Sequence, residues 1–289
     1  MAPMSKQLPD TLEARYAEVC GRIADAAAKA GRKASEVILV AVTKNAEPEQ
    51  IRGLLQLGHR DFGENRAQVL IQHAAIVDEA IQRMKMLPSA RKTLPDSGAV
   101  LFEPGSVELK PLAKGVPAQG VRWHMIGHLQ RNKAKKIFDL VRLVHSCDSL
   151  RLAEELQTIA VKKDTPVEVL LQVNCSGEDQ KFGCPLPAAI PLAEQMATML
   201  NIRIRGLMTM APNVANPEDA RPAFSRLRDL FEEMRTMKLT DAPFNILSMG
   251  MSNDYEVAIS EGANVVRVGS AIFGEPKGVD REELPEDDE

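Results

Sequence analysis

Short apolar runs alternate with helical patterns along most of the chain. Residues 37–43 read VILVAVT, and an unbroken run of apolar and β-branched residues is typical of a strand buried on both faces. Seven further strands are predicted at residues 60–62, 122–126, 143–146, 167–173, 204–208, 245–248 and 265–268. A first helix is predicted over residues 11–30, with Asp10 as its N-cap and Gly31 just past its end. Helical patterns between the strands cover residues 49–57, 150–162, 187–200, 218–237 and 254–262.

Eight alternating strand and helix units indicate an α/β fold, a single TIM-type (β/α)8 barrel with an extra N-terminal helix. An open doubly wound sheet is the alternative, although no GxGxxG motif follows the first strand. We expect one barrel domain over residues 1–277 and no C-terminal β domain, since only fifteen residues follow Gly274.

Two segments do not follow the strand and helix alternation. Residues 84–118 carry five prolines and little periodicity, so we predict a long insert between the second and third units. Residues 278–289 are strongly acidic, and we predict that this tail is disordered.

Composition narrows the class of protein. The chain has 289 residues, 44% hydrophobic and 26% charged, which is typical of a soluble globular protein. Its net charge of −4 gives no electrostatic argument for binding nucleic acid. Four scattered cysteines without metal-ligand spacing, and no signal-like or membrane-spanning stretch, predict a reduced cytoplasmic protein with neither a metal site nor a membrane partner.

Lys44 ends the first predicted strand, where its ammonium would lie at the barrel mouth. Partial burial there would favour the neutral amine, which attacks carbonyl groups and forms Schiff bases. The alternative is a lysine that extends into solvent at a strand end.

Two glycine- and serine-containing segments follow the seventh and eighth strands. Residues 248–252 read SMGMS and residues 267–270 read RVGS. Each brings small residues to a helix start, where free backbone N–H groups can bind an anion, and phosphate sites in barrels are often built from these two loops. Each loop alone is also consistent with an ordinary turn followed by a capped helix.

Arg267 lies between two valines in the eighth strand, so its charge needs a partner inside the barrel. That partner is either a ligand or an internal carboxylate in a buried salt bridge. A lysine that forms Schiff bases, a phosphate site and an arginine in one barrel suggest pyridoxal 5′-phosphate (PLP).

The sequence resembles the YggS/PROSC family of pyridoxal phosphate homeostasis proteins. The matching segments are VAVTK at 40–44, FGEN at 62–65, WHMIGHLQ at 123–130, NK at 132–133, VN at 173–174, QK at 180–181 with Gly183, RGLM at 205–208, SMGMS at 248–252, VRVG at 266–269 and IFG at 272–274. Where the family usually has serine before the lysine, this chain has Thr43.

The resemblance implies a single barrel related to the N-terminal domain of alanine racemases, without the racemase's second domain. It implies that Lys44 carries PLP as a Schiff base and that Arg267 faces the pyridine nitrogen. It further assigns the phosphate to Ser252, Gly269 and Ser270 with the backbone of Met251, and places Asn65 near the cofactor.

Three functions remain open. The first is a non-catalytic PLP carrier in intracellular PLP (vitamin B6) homeostasis, a monomer or weak dimer whose partners are PLP and PLP-dependent apo-enzymes. The second is a PLP-dependent racemase or lyase, in which His124 or His128 would act as a base, since Tyr16 is expected on the first helix and Tyr255 on a helix surface. The third is a Schiff-base aldolase, disfavoured because Asp148 is almost the only acidic residue at the strand ends.

We favour the carrier. An arginine at the ring nitrogen disfavours protonation of the pyridine, which weakens the ring as an electron sink.

Overall fold

A computed structural model describes residues 11–86, 120–177, 182–239 and 242–274, with only the backbone of residues 84–86. The predicted acidic tail, residues 180–181 of the family segments and nearly all of the predicted insert lie outside these ranges.

Eight parallel strands form a closed barrel. Each strand pairs with its neighbour in chain order, and the last pairs with the first. The strands are β1 (Ile38–Val42), β2 (Asp61–Glu64), β3 (Arg122–Met125), β4 (Val141–Cys147), β5 (Val167–Asn174), β6 (Ile202–Met208), β7 (Ile246–Ser248) and β8 (Val265–Val268). The predicted TIM-type barrel is confirmed, and the open doubly wound sheet is wrong. Sequence patterns did not predict the two-residue strand Cys184–Pro185, which pairs with the end of β5.

Helices surround the barrel. They are α1 (Leu12–Lys29), α2 (Pro48–Gln56), α3 (Ala67–Met86), α4 (Arg131–Ile137), α5 (Leu150–Lys163), α6 (Ala189–Ala197), α7 (Arg221–Met237), α8 (Tyr255–Ser260) and α9 (Ser270–Phe273). Because α3 continues to Met86, the first three residues of the predicted insert belong to a helix.

Local sequence explains where the first helices begin. The hydroxyl of Thr11 accepts the N–H of Ala14, so Thr11 is the N-cap of α1 and the expected cap at Asp10 is wrong. Pro48 occupies the first turn of α2, where its missing N–H removes no hydrogen bond.

Two apolar layers hold the fold together. The barrel interior contains a small cluster of buried residues, namely Ile38, Val40, Leu143, Leu170, Met208, Ile246 and Val265. The alternate residues of β1, Leu39 and Ala41, pack outward into the larger layer beneath the helices. Alternation therefore places Lys44 on the interior side of β1, just beyond its end.

Charged pairs lie toward the amino ends of the strands. Arg122 bonds to Asp61, and buried Glu168 accepts from Arg142 at 2.9 Å and from Arg205 at 2.7 Å. No helix within the described ranges is long and apolar enough to cross a membrane.

Candidate ligand site at the carboxyl end of the barrel

Lys44 lies in the turn after β1, beside the end of β8. Val40 is opposite Arg267, and Ala41 is opposite Val268, in the parallel β1–β8 pair. The Lys44 side chain is exposed, so surrounding protein groups do not provide the burial expected from the sequence. The position predicted for the lysine is confirmed, whereas its partial burial is not.

The residue before the lysine is anchored on the outer face of the barrel. The buried hydroxyl of Thr43 donates to the Glu64 carboxylate, which also bonds to Nδ1 of His73 at 2.8 Å. Because Thr43 is held outward in this way, the backbone that carries Lys44 is fixed.

The loops after β7 and β8 meet at Ser252. Its Oγ accepts the backbone N–H of Gly269 at 3.2 Å and that of Ala271 at 3.5 Å. Ser270 begins α9 beside this contact, and both serines are partly exposed. Two hydroxyl groups and the first N–H groups of a helix therefore lie together next to the end of β1.

The backbone N–H of Met251 has an acceptor within its own loop. This N–H donates to the carboxylate of Asp254 at 2.6 Å, so this donor is already used within the loop. Burial raises the pKa of Asp254. A phosphate contact to the Met251 backbone would therefore replace the bond to Asp254, as one to the Gly269 N–H would replace the bond to Ser252, and both contacts stay predictions.

Gly250 is needed for the shape of the same loop. Its φ is +93°, and an added Cβ would lie 2.6 Å from the Cβ of Ala258 and 2.8 Å from the Cα of Tyr255. Only glycine allows the loop to approach α8 so closely.

Asn65 lies at the end of β2 with an exposed side chain. The backbone of Gly127, which follows β3, packs directly against it, because an added Cβ would lie 2.3 Å from the carbonyl oxygen of Asn65. The structure thus places Asn65 at the carboxyl end of the barrel, and Gly127 fixes the position of its backbone.

Arg267 points into the barrel and is only 3% exposed. Its Nη1 donates to the hydroxyl of Ser248 at 2.6 Å, and its Nη2 donates to the carbonyl of Thr209 at 2.9 Å. Burial lowers its pKa to about 10, so the guanidinium is charged at neutral pH. Within the described residues it forms no ion pair, and the buried salt bridge considered from the sequence is wrong.

The comparisons with known proteins fit this arrangement. The model of the family described as "Alanine racemase, N-terminal domain" matches residues 21–276. The chain belongs to this family.

Relatives in the alanine racemase N-terminal domain family carry a more specific name. The pyridoxal phosphate homeostasis protein of Aquifex aeolicus is 35% identical over 263 residues, which cover 91% of this chain and 97% of the relative. The predicted resemblance to such proteins is confirmed.

Solved structures of the family agree with the barrel. PipY from Synechococcus elongatus, determined with PLP bound, is 28% identical with a TM-score of 0.62, over 87% of this chain and 100% of PipY. An alanine racemase from Clostridium difficile is 11% identical with a TM-score of 0.60, over 93% of this chain and 57% of the racemase. At that identity the likeness shows the fold alone.

The two candidate histidine bases occupy different environments. His124 is fully buried and bonds to His145 and Asp61, so it does not face the barrel mouth. His128 is 43% exposed, with its ring stacked on Phe182 at a centroid distance of 4.5 Å. Among the candidates, only His128 is accessible to a substrate.

Both tyrosines pack in the layer beneath the helices, outside the barrel interior. The hydroxyl of Tyr16 bonds to Nδ1 of His59 at 3.1 Å, and burial raises the pKa of Tyr16. Tyr255 is 1% exposed, and burial raises its pKa to about 12. Its expected place on a helix surface is wrong, because α8 packs against α1 and Arg22 lies over the Tyr255 ring.

The sequence interpretation missed His145 and left Ser248 without a role. The alternation of inward- and outward-facing residues along each strand could have identified both residues. Each of these residues comes two positions after an interior apolar residue, as His145 does after Leu143 and Ser248 after Ile246.

Proposed function

We propose that this chain binds PLP at the carboxyl end of the barrel and holds it for intracellular PLP homeostasis. Lys44 holds the cofactor as a Schiff base, and Ser252, Gly269 and Ser270 bind its phosphate. Arg267 faces the ring nitrogen, and Asn65 lies beside the cofactor. When bound, PLP supplies an aldehyde that reacts with amines and a ring that can take up electron density.

The groups at this site suit the proposed ligand. A phosphate needs several donors in a compact loop, and the hydroxyls of Ser252 and Ser270 lie beside the exposed start of α9. Gly269 packs closely on the end of β1, because an added Cβ would lie 3.3 Å from the carbonyl oxygen of Val42. The N–H groups of Met251 and Gly269 donate to Asp254 and Ser252, so a phosphate contact at either would replace a bond within these loops.

We further propose that the protein is a carrier and not an enzyme. The charged Arg267 disfavours a proton on the pyridine nitrogen, and an unprotonated ring is a weak electron sink. Racemisation also needs an acid or base on the second face of the substrate. His124 is fully buried, and Tyr16 and Tyr255 pack outside the barrel interior, so none of the three is suited to this role.

One observation carries the proposal. The lysine at the end of β1 lies beside the joined loops of β7 and β8, and the arginine of β8 is buried inside the barrel opposite Val40 of β1. An amine, phosphate donors and a guanidinium thus come from adjacent strands and loops of the barrel, and they match the aldehyde, phosphate and ring nitrogen of PLP.

The direct test is a binding titration that compares PLP with pyridoxal. We expect PLP to bind with a new visible absorbance band that Lys44→Ala abolishes and Lys135→Ala retains, since Lys135 is an exposed residue of α4. Pyridoxal, which lacks the phosphate, should bind much more weakly. Equal affinity for the two ligands would contradict the phosphate assignment.

The carrier role needs a second assay. PLP-loaded protein is mixed with a PLP-dependent apo-enzyme, and recovery of enzyme activity is compared with that expected from release of PLP into solution. Recovery faster than release supports delivery to apo-enzymes. Recovery of activity at the rate of PLP release would indicate that the protein buffers PLP without delivering it to the enzyme.

A further inference from the structure

A row of hydrogen bonds crosses the barrel interior from Arg267. Its Nη1 lies 2.6 Å from Oγ of Ser248, and that Oγ lies 3.0 Å from Nδ1 of His145. Nε2 of His145 lies 2.9 Å from Nδ1 of His124, whose Nε2 lies 3.0 Å from Oδ1 of Asp61. All five residues are buried, and we call this set of residues the relay.

The Asp61 end fixes the direction of the relay. Arg122 donates to both carboxylate oxygens of Asp61, at 2.7 and 2.6 Å. Although burial acts to raise the pKa of Asp61, the hydrogen bonds from Arg122 and His124 hold it well below its usual range. A carboxylate only accepts hydrogen bonds, so Nε2 of His124 must carry the hydrogen.

The remaining hydrogens follow from this one. Burial lowers the pKa of His124 and His145, so each ring is neutral and has a single N–H. Because Nδ1 of His124 is then an acceptor, Nε2 of His145 donates to it. Nδ1 of His145 therefore accepts a hydrogen bond from the Ser248 hydroxyl. The oxygen of that hydroxyl in turn accepts a hydrogen bond from Arg267.

The direction has an electrostatic consequence. Each neutral group of the relay turns its negative end toward Arg267 and its positive end toward Asp61. Arg267 forms no ion pair within the described part of the chain, and its other acceptor is the carbonyl of Thr209. The aligned dipoles thus add to the attraction of Asp254, a carboxylate beyond ion-pair distance, in stabilising this buried charge.

We propose that the relay is a positioning device that fixes the orientation and charge of Arg267 toward the pyridine nitrogen of PLP. This inference rests on the proposed function, because it assigns the target of the guanidinium. Two of the five guanidinium N–H groups are used by Ser248 and Thr209, which sets the plane in which the others can meet a ligand.

The first test needs no ligand. Long-range 1H–15N NMR correlations of the ligand-free protein distinguish the two neutral tautomers of histidine. We expect both His124 and His145 to carry their hydrogen on Nε2. A hydrogen on Nδ1 of His145, or a protonated ring at neutral pH, would overturn the proposed direction of the relay.

The second test distinguishes an effect on the orientation of Arg267 from a general disturbance of the binding site. PLP and 1-deaza-PLP, whose ring nitrogen is replaced by carbon, are titrated into the parent protein, Ser248→Ala and Ser248→Thr. We expect Ser248→Ala to weaken PLP binding roughly three- to tenfold and to leave 1-deaza-PLP binding unchanged. Ser248→Thr keeps the hydroxyl and should restore the affinity for PLP.

The control is Ser146→Ala, which removes another buried serine hydroxyl of the barrel that bonds to no residue of the relay. It should change the affinity for the two ligands equally. Equal weakening of both ligands by Ser248→Ala, or no change for PLP, would overturn the positioning role. A parent protein that binds neither ligand would overturn the proposed function with that role, and the tautomer measurement would still decide whether the relay has its assigned direction.

Discussion

The hydroxyl oxygen of Ser252 accepts the backbone N–H of Gly269 over 3.2 Å. This bond joins the loop after β7 to the loop after β8, so the two segments form one surface. The serine thus has two tasks in our account, because it shapes the loop and also contacts the phosphate.

Replacing either serine tests the phosphate site. A hydrogen bond to a charged group contributes about 1.5–3 kcal/mol, so Ser270→Ala should weaken PLP binding roughly tenfold and Ser252→Ala up to a hundredfold. The larger effect is expected at Ser252 because its loss also removes the acceptor for Gly269. Isothermal titration of both variants measures the difference. Unchanged affinity in both would rule out this phosphate site.

Two glycine substitutions should change stability in opposite directions. Gly250→Ala places a Cβ 2.6 Å from that of Ala258 at a φ of +93°, and should lower the free energy of unfolding by about 2–4 kcal/mol. Gly21→Ala is the control, since Gly21 lies within α1 with nothing within 4 Å of the added Cβ. It should raise stability by about 0.5–1 kcal/mol. Urea unfolding measures both, and a tolerated Gly250→Ala would contradict the close packing of this loop.

The sequence was sufficient for the barrel and for most of the site. Parallel strands in chain order bring the end of β1 beside β8, so the neighbourhood of Lys44 and Arg267 followed from strand order alone. The positions of Ser252 and Ser270 followed from the same reasoning, because both come directly after neighbouring strands.

Three features could not be predicted, because each depends on a contact that the hydrophobic pattern does not specify. Asp254 accepts the Met251 N–H through a local turn that the sequence also allows to form otherwise. Tyr255 is buried because α1 packs on α8. Alternation can place His145 inside the barrel, but it does not show that His124 is its partner, since the β3–β4 pairing shifts register beside His124.

Stability should fall as the pH drops below about 6.5. Burial lowers the pKa of His59 to about 4 and also lowers those of His124 and His145. Between the folded and unfolded pKa values the unfolded chain binds more protons, so the free energy of unfolding decreases as pH falls. Each histidine contributes up to about 1.4 kcal/mol per pH unit.

Urea unfolding at pH 7.5, 6.5 and 5.5 checks this dependence. His59→Gln removes one of the three groups and should reduce the slope between pH 6.5 and 5.5. A free energy of unfolding that stays constant or rises toward pH 5.5 would be inconsistent with neutral buried histidines.

PLP-loaded protein should not turn over free amino acids at an ordinary enzymatic rate. The reasons are the charged Arg267, the burial of His124, and the packing of both tyrosines outside the barrel interior. Racemisation, transamination and α-hydrogen exchange in deuterated water are followed with a panel of L-amino acids. Turnover near or above about 1 s⁻¹ would restore the enzyme hypothesis. His128→Ala then shows whether the one accessible histidine is the base.

The identity of the lysine that holds PLP tests the central claim most directly. The PLP-loaded protein is reduced with borohydride, digested, and searched by mass spectrometry for a pyridoxyl group on lysine. We predict that the modification lies on Lys44. The peptide-bound pyridoxyl group should be lost in Lys44→Ala, while Lys135→Ala is modified like the parent protein. A pyridoxyl group found only on lysines other than Lys44 would contradict the account.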